Sequence, residues 1–206
     1  MSLTLLDWRR RVARLHAEVR SEPDPVAAHD HWRKTRDDLL RSHPDSPIPW
    51  QSRADYPGAP VAAYDPRLRF DVTVDTGVPP KHIEVTTGSD GVVPFDRIGS
   101  ARLPGGGDLD VWWLGSYGGG VFVPVKDGTA GTATYGGGRY LIDTVKGADL
   151  GSGEGRLILD FNFAYNPSCA YDAAWACPLA PAGNTVGRSL LAGELMPPPD
   201  AGQEAR

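Results

Sequence analysis

The residues best suited to polar chemistry cluster late in the chain. In YGGGRYLID, Tyr135 to Asp143, a strand would turn Arg139, Leu141 and Asp143 one way and Tyr140 and Ile142 the other. In RLILDFNF, Asp160 and Asn162 share a side opposite Leu159, Phe161 and Phe163. If these strands pair, an arginine, two aspartates and an asparagine converge on one face. At a barrel mouth such a group would bind a small polar molecule. Arg139 is then expected within ion-pair reach of Asp160 or Asp143. The same residues would equally serve as a structural ion pair that fixes strand register.

The next stretch, FNFAYNPSCAYDAAWACPLAPAGN, extends the candidate ligand set to Tyr165 and Asn166. Asn166-Pro167 begins a turn straight after a strand, and Pro178 and Pro181 stiffen the exit. Tyr165, Tyr171 and Trp175 would cover one end of the barrel. Cys169 and Cys177, with seven residues between them, match neither a metal knuckle nor a thioredoxin-type pair. Buried structural thiols, shielded by Tyr171 and Trp175, are the expectation, with a disulfide as the alternative. No Lys, Arg or His stands between Phe161 and Gly187 to activate a thiol, leaving Arg139 as the distant cation that could.

Other motifs carry less. His29 and His31 are two apart on a helix and face different directions, and His16, His43 and His82 add no metal-ligand spacing. No metal site and no cofactor are expected. GGGDL at 105–109 and GSGEG at 151–155 do not lead from a strand into an apolar helix, so they read as hairpin turns rather than phosphate loops.

Three functions fit these residues. The first is a small polar-molecule-binding β domain. The second is an enzyme using Asp143 or Asp160 as acid or base, because two carboxylates in different environments can divide those roles. The third is a structural protein that docks a partner through its N-terminal helices, a homodimer being one form of it.

The elements that must position these residues follow from periodicity. Leu5, Trp8, Val12, Leu15 and Val19 share one helical face, with Thr4 and Asp7 as a weak start signal. Asp24-Pro25 opens a second helix, on which Trp32, Arg36 and Leu39 share a face, and His43-Pro44 ends it. From Tyr64 the period changes to two, as in RLRFDVTVD, and seven further short runs follow between Gly and Pro clusters. The fold class is mainly β, an antiparallel barrel or sandwich of about eight short strands with two N-terminal helices. The chain divides into a helical arm at 1–43, a Pro-rich connector at 44–60, a β domain at 61–196 and a disordered tail at 197–206.

The net charge of −5 and the lack of a basic cluster argue against nucleic acid as a partner. No apolar run is long enough to span a bilayer, and Asp7 interrupts the first one, so neither membrane nor export is expected and the location reads as cytoplasmic.

YDPRLRF, SYGGGVFVPVKDGTAGTATYGGGRYLIDTVKGADLG and LDFNFAYNPSCAYDAAWACPLAPAGN resemble a bacterial and archaeal family, domain of unknown function 1684. HWRKTRDDLLRSHPDSPIP resembles that family's opening segment, and the likeness runs roughly from Asp30 to Glu194. The resemblance implies no activity, substrate or cofactor. It does place Arg139, Asp160, Asn162, Tyr165, Asn166, Cys169, Tyr171 and Cys177 in one shared motif set. At Ala182 to Gly187 the chain departs from the family pattern Pro-Glu-Asn-Arg-Leu-Pro, so a carboxylate and an arginine are missing there.

Overall fold

The computed structural model describes residues 2–87, 91–115, 117–151 and 153–198. Positions 199–206 of the expected tail lie outside the described residues.

Two helices open the chain, α1 (Leu3–Ser21) and α2 (Pro25–Ser42). The cap of α1 is Ser2, whose hydroxyl accepts from Leu5 N–H at 3.3 Å, rather than Thr4. For α2 the sequence signals hold: Asp24 Oδ1 accepts from Val26 N–H at 2.9 Å, Pro25 takes the first turn, and His43 is the C-cap. The segment expected to be an extended connector is folded. Arg53 is buried and donates to the carbonyls of His43, Pro44, Ser46 and Ile48, so one guanidinium gathers the loop around itself. Those carbonyls cannot pair in a sheet or helix, and the arginine satisfies them.

Seven strands follow: β1 (Arg69–Asp75), β2 (His82–Thr86), β3 (Val92–Arg102), β4 (Asp108–Leu114), β5 (Gly120–Val125), β6 (Arg139–Asp143) and β7 (Arg156–Asp160). They form one antiparallel sheet in the order β6-β5-β4-β3-β1-β7, with β2 on the outer part of β3. Two runs read as separate strands, GVVPF and RIGSARL, are the single long β3, which kinks at a bulge between Arg97 and Gly99. A Cβ at Gly99 would sit 2.4 Å from Val74 Cγ1, so glycine is what lets β1 cross the kink. The glycines of GGGDL make the β3–β4 hairpin, with Leu103 N–H donating to the Gly107 carbonyl at 2.9 Å.

The sheet curls into a nearly closed barrel. The seam is a bridge between β6 and the segment just after β7: Tyr140 N–H donates to the Tyr165 carbonyl at 2.9 Å and Tyr165 N–H returns at 3.0 Å. One apolar cluster fills the interior with Val72, Leu109, Val111, Val123, Leu141 and Leu159. Alternation on β4 sends Trp112 to the other face, where Phe95, Phe122 and Tyr140 form a second, aromatic cluster. The chain after β7 covers both.

The helices pack on their own barrel. Leu15, Val19, Ala28 and Trp32 meet Leu150 and Phe163, and Trp32 and Phe163 cross edge to face at 5.5 Å. Trp8 lies against the cluster of Leu40, Ile48, Tyr56 and Tyr171. A Cβ at Gly147 would come within 2.8 Å of Ala13 Cβ, so this turn accepts α1 only as glycine. Among the described residues no helix is long and apolar enough to cross a membrane.

Two outcomes follow for stability. Trp32 is 1% exposed, and Trp32→Ala is expected to cost about 3–5 kcal/mol, read as a lower urea midpoint. His16 is buried on α1, its Nδ1 3.0 Å from the Val12 carbonyl, and burial pulls its pKa down to about 4. As pH falls from the unfolded value near 6.5, the unfolded chain takes up the proton first. Stability present at neutral pH is therefore lost between pH 6.5 and about 4, to the extent of about 3 kcal/mol. His16→Gln is expected to flatten that part of the pH profile; an unchanged profile would locate the acid sensitivity elsewhere.

Candidate functional site

The residues expected to converge are instead divided among three separate networks. The reason is topological: β6 and β7 stand at opposite ends of the strand order and do not pair.

Arg139 pairs with Asp127 at 2.7 Å, not with Asp143 or Asp160. On the β5–β6 ladder Arg139 lies opposite Val125, so Asp127, two residues on, is its diagonal neighbour on the same face. Both side chains are 1% exposed. The remaining guanidinium donors reach the carbonyls of Leu190, Ala192 and Glu194. Arg139 thus clamps the returning chain against the barrel, with both Nη1 and Nη2 engaged within the protein.

Asp160 and Asn162 do stay together, but by a local turn and not by strand alternation. Asn162 belongs to a 3₁₀ turn at Phe161–Phe163, and Asp160 Oδ1 accepts from its N–H at 3.0 Å and its Nδ2 at 2.7 Å. Asn162 also exchanges bonds with the Asp65 backbone at 2.8 and 2.9 Å, and its carbonyl meets His29 Nε2 at 3.0 Å. Burial raises the pKa of Asp160, against the Asn162 hydrogen bonds and Arg69.

Asp143, at the far end of β6, meets Lys146 Nζ at 3.3 Å and accepts from the Tyr165 hydroxyl at 3.4 Å. Burial first, and the Asp143 charge next, hold Tyr165 well above its ordinary pKa, so it remains a donor. Asn166 turns to a residue that the sequence did not single out, Glu194. Glu194 is fully buried, and its carboxylate accepts from Asn166 N–H at 2.6 Å and Tyr171 hydroxyl at 2.9 Å. Arg36 binds the same carboxylate through Nε and Nη2 and lies 4.7 Å from the Tyr165 ring centre. Arg36 had a legible signal: an arginine on the same helical face as Trp32 and Leu39 needs a buried counter-charge.

A fourth polar group was not visible in the sequence. Arg97 Nη1 binds Asp110 Oδ1 at 3.0 Å, and Lys81 Nζ stands 3.9 Å from Asp110 Oδ2 and 5.5 Å above the Trp112 ring. Trp112 Nε1 donates to Asn184 Oδ1 at 2.7 Å, and Asn184 Nδ2 donates to the Asp110 carbonyl at 2.8 Å. Asp110 Oδ2 and Arg97 Nε are buried and find no hydrogen-bond partner among the described residues. A Cβ at Gly183 would lie 2.0 Å from Asp110 Oδ2. The absence of a side chain at Gly183 therefore makes room for the Asp110 carboxylate of β4.

Cys169 and Cys177 are free and only half-buried, less shielded than expected. Trp175 is 41% exposed, and the aromatic hydroxyl at Cys169 Sγ is that of Tyr135, at 3.6 Å. Among the described residues no group of three or more His, Cys, Asp or Glu is arranged to hold a metal ion. Two surface concavities, of about 320 and 280 Å³, lie along the α1–α2 groove beside Glu18 and His31 and include none of the residues above.

Arg139→Ala is expected to destabilise the protein by about 3–5 kcal/mol, because it leaves Asp127 buried and uncompensated. Equilibrium denaturation in urea checks this; an unchanged midpoint would remove the structural role.

A family profile described as "Protein of unknown function (DUF1684)" matches residues 54–195. Among curated proteins no match is found. The chain is similar to an uncharacterized protein from gene locus rrnAC0354 of Haloarcula marismortui, known from a solution NMR structure. Identity is 33%, over 79% of this chain and 89% of that one, with a TM-score of 0.55. The matched span holds all seven strands, Glu194 and both cysteines, and the chain belongs to the DUF1684 family.

Proposed function

We propose that the protein binds a small polar molecule at the edge formed by Lys81, Arg97 and Asp110. The observation that carries this is the pair of orphaned atoms there, a carboxylate oxygen and a guanidinium nitrogen. Buried polar atoms without partners cost stability, and a partner from outside the chain relieves that cost. The unmet needs are opposite in kind: Asp110 Oδ2 wants a donor and Arg97 Nε an acceptor. A molecule carrying both, such as an amino acid or hydroxy acid, meets them together. Lys81 is 39% exposed at its side chain and gives the edge contact with solvent.

This moves the binding site away from Arg139, Asp143, Asp160, Asn162, Tyr165 and Asn166, which support the frame. It also favours binding over acid–base catalysis, since Asp143 and Asp160 are engaged by neighbours within the chain. A cytoplasmic setting is part of the same reading: two free thiols suit a reducing compartment, and the net charge of −5 suits a partner other than nucleic acid.

The test is thermal unfolding of the full chain against amino acids, hydroxy acids, dicarboxylates, sugars and nucleotides. A true ligand at 100 times its Kd adds about 2.7 kcal/mol and raises Tm. Asp110→Asn and Lys81→Ala are each expected to abolish the shift. A panel without any shift, or a shift that survives both substitutions, defeats the proposal.

A further inference from the structure

The two cysteines are adjacent in space although eight positions apart in sequence. The backbone N–H of Cys169 donates to Cys177 Sγ at 3.3 Å. That nitrogen is three bonds from the Cys169 sulfur. The approach is fixed from both sides. Tyr171, two residues beyond Cys169, is anchored in the interior by its hydroxyl on Glu194 at 2.9 Å. Pro178, directly after Cys177, is held by the Tyr140 hydroxyl, which donates to its carbonyl at 2.7 Å. Between these anchors the chain loops outward through the exposed Trp175. Both cysteines are part-buried residues at the surface end of this loop.

We propose that Cys169 and Cys177 form a hydroperoxide-reactive pair, with Cys169 as the attacking sulfur and Cys177 as the resolving one. The asymmetry comes from hydrogen bonding. The Tyr135 hydroxyl donates to Cys169 Sγ at 3.6 Å and has no such contact with Cys177. The adjacent Cys177 thiol first, and the Tyr135 hydroxyl after it, lower the Cys169 pKa to about 6, against its burial. The neighbouring Cys169 sulfur first, and burial next, push the Cys177 thiol up, against the Cys169 N–H that donates to it and the Lys146 charge. One sulfur is thereby held as thiolate and its neighbour as thiol, which is the division of labour that disulfide formation requires.

The chemistry balances with a hydroperoxide, ROOH, as oxidant. The Cys169 thiolate attacks the terminal oxygen; the S–O bond forms as the O–O bond breaks, and sulfur gives up two electrons. The departing alkoxide takes a proton from water and leaves as ROH. Cys177 then attacks the sulfenic sulfur of Cys169. The S–S bond forms, the S–O bond breaks, and hydroxide leaves as water with the Cys177 proton. The sum is two thiols plus ROOH to a disulfide, ROH and water. A low-molecular-weight thiol reverses it by exchange. The product closes a loop over Tyr171 to Trp175, in the segment that covers the barrel seam.

The test uses the reduced full chain and hydrogen peroxide, read by intact mass and peptide mapping. The expected product is a monomer lighter by two hydrogens, carrying a Cys169–Cys177 cross-link that dithiothreitol removes. Cys177→Ser is expected to accumulate a dimedone-trapped sulfenic acid on Cys169, and Cys169→Ser to stay unmodified over the same time. Circular dichroism checks that both variants are folded. If either is not, alkylation of the wild-type protein by limiting iodoacetamide decides, with Cys169 labelled at least about tenfold faster than Cys177. Thiols that stay intact under peroxide, faster labelling of Cys177, or cross-links only between chains would each overturn the proposal.

Discussion

The Glu194 carboxylate has no exposed surface, and it faces Arg36 of α2, the backbone N–H of Asn166 and the hydroxyl of Tyr171 at once. Its own carbonyl accepts from Arg139 at the start of β6. One residue near the end of the described chain therefore joins the helical arm, the barrel and the long segment after β7. Burial opposes the charge on Arg36, and the Glu194 carboxylate outweighs it, so the guanidinium stays protonated. A carboxylate in such a place is tolerable only when fully paired, and here every approach to it is filled by a donor. The three parts must be in place together for that to hold, which makes the arrangement cooperative.

Arg139 and Asp127 repeat the principle one layer away. Asp127 accepts from Arg139, from Thr129 N–H and from Leu190 N–H, while Arg139 reaches three successive parts of the 190–194 strap. Replacing such pairs with apolar side chains can be neutral in other proteins, so their value lies in register as much as in energy. The strap has no sheet partner along most of its length, and the arginine supplies what a ladder would have supplied. Around these ionic anchors, the aromatic cluster of Phe95, Trp112, Phe122 and Tyr140 adds apolar burial to that of the barrel interior.

Two places differ from these ionic anchors, although single atoms of Asp45, Tyr56 and Asn166 are also buried without hydrogen-bond partners. At Lys81, Arg97 and Asp110, polar atoms are buried without partners. At Cys169 and Cys177, two thiols meet on a loop whose ends are anchored and whose middle is exposed. Neither place was legible beforehand. Lys81 precedes β2, Arg97 stands at the β3 bulge and Asp110 comes from β4, so only the folded sheet brings them together, and seven intervening residues gave the cysteines no known motif.

By itself the sequence determined the elements: two capped helices, a change of period at Tyr64, short strands punctuated by glycine, and the family. These are local properties, set by side-chain spacing along 3.6-residue and two-residue repeats and by the backbone demands of Asp24-Pro25 or GGGDL. It also marked Arg139, Asp160 and Asn162 as polar residues in apolar company. Only the tertiary structure decided their partners. Arg139 faces Asp127 because β5, not β7, lies beside β6; Asp160 turns to its own neighbour because the strand ends there in a 3₁₀ turn. Strand order, the bulge at Gly99 and the path of the chain after β7 arise from long-range packing and closure. A periodic pattern says which face is buried and carries no information about what lies across from it.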